Sequence, residues 1–340
     1  MLVEEAHRPR VVRAWAWAFW LMLLALVLTM VSIAPHFRNS MELVRMRNAL
    51  LLQSDPSTPF DWTPAAVPAS FLLEQGPPDP RFVAVVEGLR LQALGSDWER
   101  ARAIGGHLLQ KSVSGSGAPI QADLNTTYQR IVGKGQGYCG DFVDVFTGLA
   151  LAAGIPARAW AFSFDGFGGH GHIFNEIWDR DARAWRMIDV FNNVYFTRAD
   201  GVPMSALAFR EALARRDPDL RMLPVSTAAP PRYKYPDKAW DYYRRGLPQW
   251  YQWWGNNVFS YDRSLAVRTL GNVSRSFEQL GGIASGVHPG IRVVPEPINA
   301  RQLQSLERLR VTLLVIVALI VMTFAAFVGW RVARWRNAKR

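Results

Sequence analysis

The sequence of 340 residues has one cysteine, Cys139, and that scarcity excludes two arrangements at once. An intramolecular disulfide needs a second thiol, and a Cys-rich zinc site needs several. His170 and His172 form a His-x-His pair. No cluster of further ligands accompanies it, so neither a metal nor a cofactor is expected. A dense Lys/Arg block is missing from the interior as well. The formal charge of +11 comes from scattered arginines, and the one basic cluster is Arg331, Arg334, Arg336, Lys339 and Arg340 at the C-terminus. That cluster follows an apolar run and reads as a membrane-flanking tail, with no nucleic-acid partner. What is abundant is hydrophobic surface, at 49% of residues, which excludes global disorder and allows a sizeable core.

Charge is absent from two long stretches. Residues 14–34 and 311–330 are uncharged and mostly apolar, 21 and 20 residues long. Each matches the roughly 20 residues that a helix needs to cross a bilayer. Trp15, Trp17, Trp20, Trp330 and Trp335 sit at their ends, where interfacial aromatics are favoured. Ser32-Ile33-Ala34 has the small-x-small form of a signal-peptide cleavage site, but Pro35 follows at once and the run is long for a signal. Two retained spans put both termini on one side. Eight basic residues flank the spans on the terminal side and six on the other, which favours cytoplasmic termini.

The expected organisation is therefore a cytoplasmic N-terminus (1–13), a transmembrane helix (14–34), a Pro-rich linker or wrapping segment (35–80), a catalytic core (81–200), an aromatic-rich extension (201–310), a second span (311–330) and a basic cytoplasmic tail (331–340). Seven prolines between Ser54 and Pro80 preclude a helix there. Helical patterns run from Arg81 to Leu94 and from Asp97 to Gln110. Ser96 and Glu99 have capping-box spacing at the start of the second. After Cys139, the residues Phe142, Val145, Phe146, Leu149 and Ala153 recur at helical spacing, and Gly154 and Pro156 end the run. Cys139 is thus expected at a helix N-terminus, where free N–H groups favour a thiolate. Strand-like runs follow at 158–164, 172–178 and 185–191, with connections short enough for an antiparallel sheet.

A thiol nucleophile needs a base, and the base needs an orienting group. Cys139, His172 and Asp189 occur in a compatible order on a helix and two successive strands. These residues carry a resemblance. GYCGDFVDVFTGLALAAGIPAR (137–158), HIFNEIW (172–178) and WRMID (185–189) are similar to the cysteine helix, the His-x-x-x-Glu strand and the Trp-x-x-x-Asp strand of the transglutaminase-like superfamily, distant kin of papain-type enzymes. The resemblance implies an α+β, transglutaminase-like or papain-like core, a cysteine-bearing helix on an antiparallel sheet, here flanked by two transmembrane helices. It implies Cys139 as nucleophile, His172 as base and Asp189 as orienter. Two positions depart from the pattern. Tyr138 stands where animal-type transglutaminases have Gln, and Val190 stands where Pro usually follows Asp. Gln136 is then a candidate oxyanion donor, with the Cys139 backbone N–H. Glu176 reads as a structural partner on the strand face of His172, and Arg158 as a fold-stabilising ion-pair residue.

Residues 233–261 hold 11 aromatics in 29 positions. Packing against the core is one reading. A stacking platform built from Trp240, Trp250, Trp253 and Trp254 for sugar or peptide is another. The function expected is thiol-dependent acyl chemistry on an amide, tilted toward hydrolysis (protease or amidase) over amine transfer. A non-catalytic scaffold in a cell-envelope or polysaccharide assembly system is the alternative. Expected partners are a peptide, protein or cell-envelope substrate, the lipid bilayer, and other membrane proteins docked on the spans. The Arg, Ala and Trp usage suggests a bacterial protein, and the two spans with their flanking charges then put it in the inner membrane with the catalytic domain periplasmic.

Overall fold

A computed structural model describes residues 2–53, 58–111 and 119–339, leaving aside the side chains of residues 2–9. Residues 54–57 of the Pro-rich segment, and the Arg8 and Arg340 side chains of the flanking charge count, lie outside the described set. Along the chain come helices α1 (Leu2–Ile33), α2 (Ser40–Leu51), α3 (Pro80–Gly88), α4 (Asp97–Leu109), α5 (Leu124–Lys134) and α6 (Cys139–Ala152). Strands β1 (Ala157–Ser163), β2 (Gly171–Asp179), β3 (Ala184–Ile188) and β4 (Tyr195–Thr197) follow, then α7 (Ala206–Ala214), β5 (Arg221–Leu223), α8 (Pro236–Gly246) and β6 (Trp250–Trp254). Helices α9 (Val258–Arg263), α10 (Leu265–Gly271) and α11 (Arg275–Ala284), strand β7 (Gly290–Val293) and the long α12 (Ala300–Ala338) complete it.

The chain divides into two compact units, Met1–Leu50 with Gln304–Arg340, and Leu51–Leu303. The first contains two helices long and apolar enough to cross a membrane, within Arg10–Phe37 and Pro297–Ala338. Along α12 the buried positions Leu309, Leu313, Ile316, Leu319, Thr323 and Ala326 recur every three or four residues, while Leu314, Val317, Val321 and Phe324 are exposed. Phe19 stacks on Trp330 at 5.8 Å and lies 5.7 Å from Phe327. Residues 40–51 of the expected linker are helical, so that segment begins only after α2.

In the second unit, a five-stranded sheet has the order β3-β2-β1-β6-β7, with every pairing antiparallel. Two divisions expected from sequence give way here. Strands β6 and β7 come from the supposed extension, yet they continue the sheet of the supposed core. Part of the linker joins them through bridges from Leu52 to Ile291 and Leu72 to Gly255. The reason is that β1 has two edges and β2 satisfies only one. The other would leave its N–H and C=O groups unpaired.

Alternation along β1 sets the layers. Ala157, Ala159 and Ala161 point to one face, which lets α6 approach closely; Arg158, Trp160 and Phe162 point to the other. On the α6 side, Phe142, Val145, Phe146 and Leu149 pack with Ile177 and Ile188, and Asn175 Nδ2 donates to Thr147 Oγ1 at 2.9 Å. On the far side, Trp160, Phe162, Phe174 and Met187 pack with Phe209, Tyr243 and Trp250. Helix α3 stops at Gly88, short of the expected Leu94, because Arg90 turns left-handed at φ 50°. Strand β3 stops at Ile188, short of the expected Phe191. Residues 190–193 form a tight turn closed by the Asp189–Val194 bridge, with Asn193 at φ 55°.

The far face holds a buried ion pair. Arg158 Nε donates to Glu176 Oε2 at 2.7 Å, and both side chains are sealed from solvent. Trp160 Nε1 donates to the same oxygen at 2.8 Å, and the Ala206 N–H donates to Oε1 at 2.7 Å. The guanidinium lies 3.9 Å over the Trp185 ring, and its Nη1 donates to the Phe60 carbonyl at 2.8 Å. Breaking such a pair by removing one partner strands a charge in a dry interior. Glu176→Ala should therefore cost about 3–5 kcal/mol of stability. Tryptophan fluorescence during urea unfolding of the detergent-solubilised chain reads this loss, and a change below about 1 kcal/mol would reduce the pair to the ordinary worth of a surface contact.

Candidate active site

Cys139 opens α6, and the loop before it fixes its position. Gly135 caps α5 at φ 64°, and Gly137 sits at φ 118°, a conformation open mainly to glycine. A Cβ at Gly137 would also press on Asp141 and Ile120 at 3.3–3.4 Å. Asp141 Oδ2 accepts from the Tyr138 N–H at 2.7 Å and from the Ile120 N–H at 3.1 Å, tying the first turn of α6 to the preceding loop. Burial pushes the Asp141 carboxyl up, while these N–H groups pull it down. The thiol is partly exposed.

His172 stands at the start of β2 on the face opposite α6. By alternation it shares that face with Phe174 and Glu176. Gly171 before it passes so close to β1 that a Cβ would meet the Phe162 carbonyl oxygen at 2.1 Å. The imidazole is enclosed by the rings of Phe162, Phe174, Phe191, Tyr242 and Tyr243, with centroids 5.6–6.2 Å away. Its Nε2 lies 2.5 Å from Asp189 Oδ2. That engages one ring nitrogen, and the Cys139 side chain also acts on the imidazole, favouring its charged form. His172 and Asp189 thus meet where β2 begins and β3 has just ended, and Cys139 opens the helix packed on that sheet.

Asp189 is fully buried, and several donors serve it. Besides His172, Oδ2 accepts from the Tyr243 hydroxyl at 2.5 Å and from Asn192 Nδ2 at 3.0 Å; Oδ1 accepts from the Asn192 N–H at 3.0 Å. Burial on its own would drive the His172 pKa down. The Asp189 charge and hydrogen bond, joined by the Cys139 sulfur, outweigh that and raise it to about 10. Burial and the Asp189 charge both push the Tyr243 phenol well above its usual range, so it remains a donor.

Tyr243 and Asn192 were not singled out in the sequence. Tyr243 falls inside the aromatic segment 233–261, where nothing local distinguishes it from the neighbouring rings. Asn192 is three residues beyond Asp189, a spacing typical of a side chain that organises a turn. The stacking platform is corrected. Trp250 and Trp254 are 0% exposed and offer no face to a ligand, because they fill the far-side core and the Trp62–Phe71 cluster. Trp240 packs on Phe196, and Trp253 lies beside His288; both are partly buried. The rings that reach the thiol's surroundings are Tyr233 and Tyr242 instead, 5.4 Å apart. Gln136 is partly buried, and its Oε1 accepts from Arg130 Nε at 3.0 Å, which directs the amide NH2 the other way. His170 is exposed on the loop and packs on Phe164, away from the imidazole–carboxylate pair. Among the described residues no group of three or more His, Cys, Asp or Glu side chains is placed to hold a metal.

Residues 91–190 match the family model described as the transglutaminase-like superfamily. Among solved structures, the periplasmic domain of TgpA from Pseudomonas aeruginosa is similar at 21% identity, with a TM-score of 0.27, over 34% of this chain and 44% of that one. The chain thus spans less than half the length of that domain. No curated protein matches it. The helix on its antiparallel sheet follows the family's fold, and the core formed by residues 91–190 is a member of the transglutaminase-like superfamily.

Proposed function

We propose that this protein is a membrane-anchored thiol enzyme that cleaves amide bonds through an acyl-enzyme. The observation that carries this reading is the buried His172–Asp189 contact of 2.5 Å beside a partly exposed thiol at a helix N-terminus. Such an arrangement favours transfer of the thiol proton to the imidazole, giving a thiolate–imidazolium pair. The sulfur attacks the amide carbonyl, and the oxyanion takes hydrogen bonds from the Cys139 backbone N–H and the Gln136 amide. Collapse breaks the C–N bond, and the departing nitrogen takes the proton held on His172. Water then gives a proton to His172 and its oxygen to the acyl carbon, releasing the acid and restoring the thiol. Asp189 keeps the ring aligned throughout, and Tyr243 and Asn192 keep Asp189 aligned.

The two apolar helices anchor the chain, and both termini lie on the cytoplasmic side with Leu51–Leu303 outside, in the periplasm of a bacterium. The length of each apolar run supports the anchoring, and the flanking charges support this orientation. Water is the favoured acyl acceptor, and the substrate is a peptide, protein or envelope component.

The pH behaviour follows from His172. A pKa raised to about 10 means the imidazolium contributes to stability fully below its ordinary value of about 6.5, and that contribution is lost as pH rises through about 10. In Asp189→Asn burial is opposed only by the Cys139 sulfur, so the ring should titrate well below the wild-type value of about 10. Nitrogen-15 NMR of the imidazole decides between these values. Cys139 being the only thiol, alkylation reports on this site alone. At pH 6 the wild type should react at least about tenfold faster than His172→Ala. Equal rates would remove the nucleophile–base pair. Topology has its own readout: a membrane-impermeant maleimide added to intact spheroplasts should label Cys139, and labelling only after lysis would place the unit on the cytoplasmic side.

A further inference from the structure

Arg232 stands at the edge of this site with its charge uncompensated. Its N–H donates to the Asn192 carbonyl at 3.2 Å, and its Nε donates to the Phe191 carbonyl at 3.1 Å. The guanidinium lies 3.6 Å over the Phe191 ring, which is itself 6.1 Å from the His172 ring. One aromatic ring therefore separates the cation from the catalytic imidazole. Backbone carbonyls and a ring face fix its position without neutralising it. Among the described residues no carboxylate forms an ion pair with it. The anionic groups whose fields reach it are Asp189, already occupied by His172, Tyr243 and Asn192, and the Cys139 sulfur. The neighbouring phenols do not supply a charge. Burial raises both Tyr233 and Tyr242, and they hydrogen-bond to one another. With Nε engaged, the two terminal nitrogens form the free edge of a fork suited to a carboxylate.

We propose that Arg232 is a substrate-binding residue, and that the acyl compound this protein accepts bears a carboxylate close to the scissile carbonyl. An amide of a glutamyl or similar acidic residue fits that description, whereas a purely neutral acyl chain leaves the guanidinium unmatched. This inference rests on the thiol chemistry proposed above. It adds that the pocket selects charge.

A pair of alkylating agents of nearly one shape tests it on the full chain in detergent. Iodoacetate carries a carboxylate where iodoacetamide carries a neutral amide, and both react only at Cys139. In Arg232→Gln the iodoacetate-to-iodoacetamide rate ratio should fall about fivefold or more, the effect of losing one charge at close range. Arg232→Lys keeps the charge without the fork, so its ratio should stay above that of the Gln variant. Arg244→Gln removes a charge of the same sign from an exposed position on α8 and should keep the wild-type ratio. Wild-type preference for iodoacetate should shrink in roughly 0.5 M salt. An unchanged ratio in Arg232→Gln, with iodoacetamide still fast at pH 6, overturns the subsite alone. Iodoacetamide no faster in the wild type than in His172→Ala overturns the underlying thiol chemistry, and the subsite with it.

Discussion

A carboxylate taken out of water must be neutralised and hydrogen-bonded, and the placement of Asp189 depends on how this chain does so. The oxygen facing His172 also takes the Tyr243 hydroxyl and the Asn192 amide, while the other oxygen takes the Asn192 N–H. Charge from the imidazole and dipoles from the phenol and amide together replace solvation. Each partner arrives on a different element: His172 on β2, Asn192 in the turn after β3, Tyr243 on α8. The need to satisfy one anion therefore binds three parts of the fold to each other. The same carboxylate decides the charge state of the histidine, since without it burial would favour the neutral ring. Fold and chemistry converge on a single group.

The second buried anion on the same strand face, Glu176, works in parallel. Four residues separate it from His172, two strand repeats along β2. Its partner is a permanent cation, Arg158, and its further donors are an indole and a backbone amide. One end of β2 thus carries a titratable pair and the other a fixed one. The fixed pair holds the strand between its neighbours. The titratable pair sits where the strand runs out and the α6 N-terminus arrives.

Much of this was legible in the residues. Cys139 declares itself by being alone, and the glycines before it and the helical periodicity after it place it at a helix start. His172 and Asp189 are readable because chain order and strand alternation restrict where they can point. What was not legible depends on distant packing. Tyr243 lies 54 positions from Asp189, and nothing local marks which tyrosine folds back onto a carboxylate. The tryptophans misled for a related reason. Trp250 and Trp254 have the chemistry of a ligand platform and the burial of a core, and only tertiary structure separates the two. The division into core and extension failed similarly. Residues 250–254 contain mostly aromatics and read as a patch, but the open edge of β1 gives them their place as a strand.

That edge has a temporal consequence. β1 is followed at once by its first neighbour, β2, but its second neighbour is β6, and β7 closes the sheet only at Gly290–Val293. During synthesis the hairpin of β1 and β2 emerges with one hydrogen-bonding edge bare and stays so until β6, Trp250–Trp254, has been made. The apolar α12 begins only a few residues after β7. Nascent chains of this design therefore carry an unfinished sheet while α7 and α8 are made, until β6 covers the open edge of β1 and β7 adds the last strand shortly before the second apolar helix.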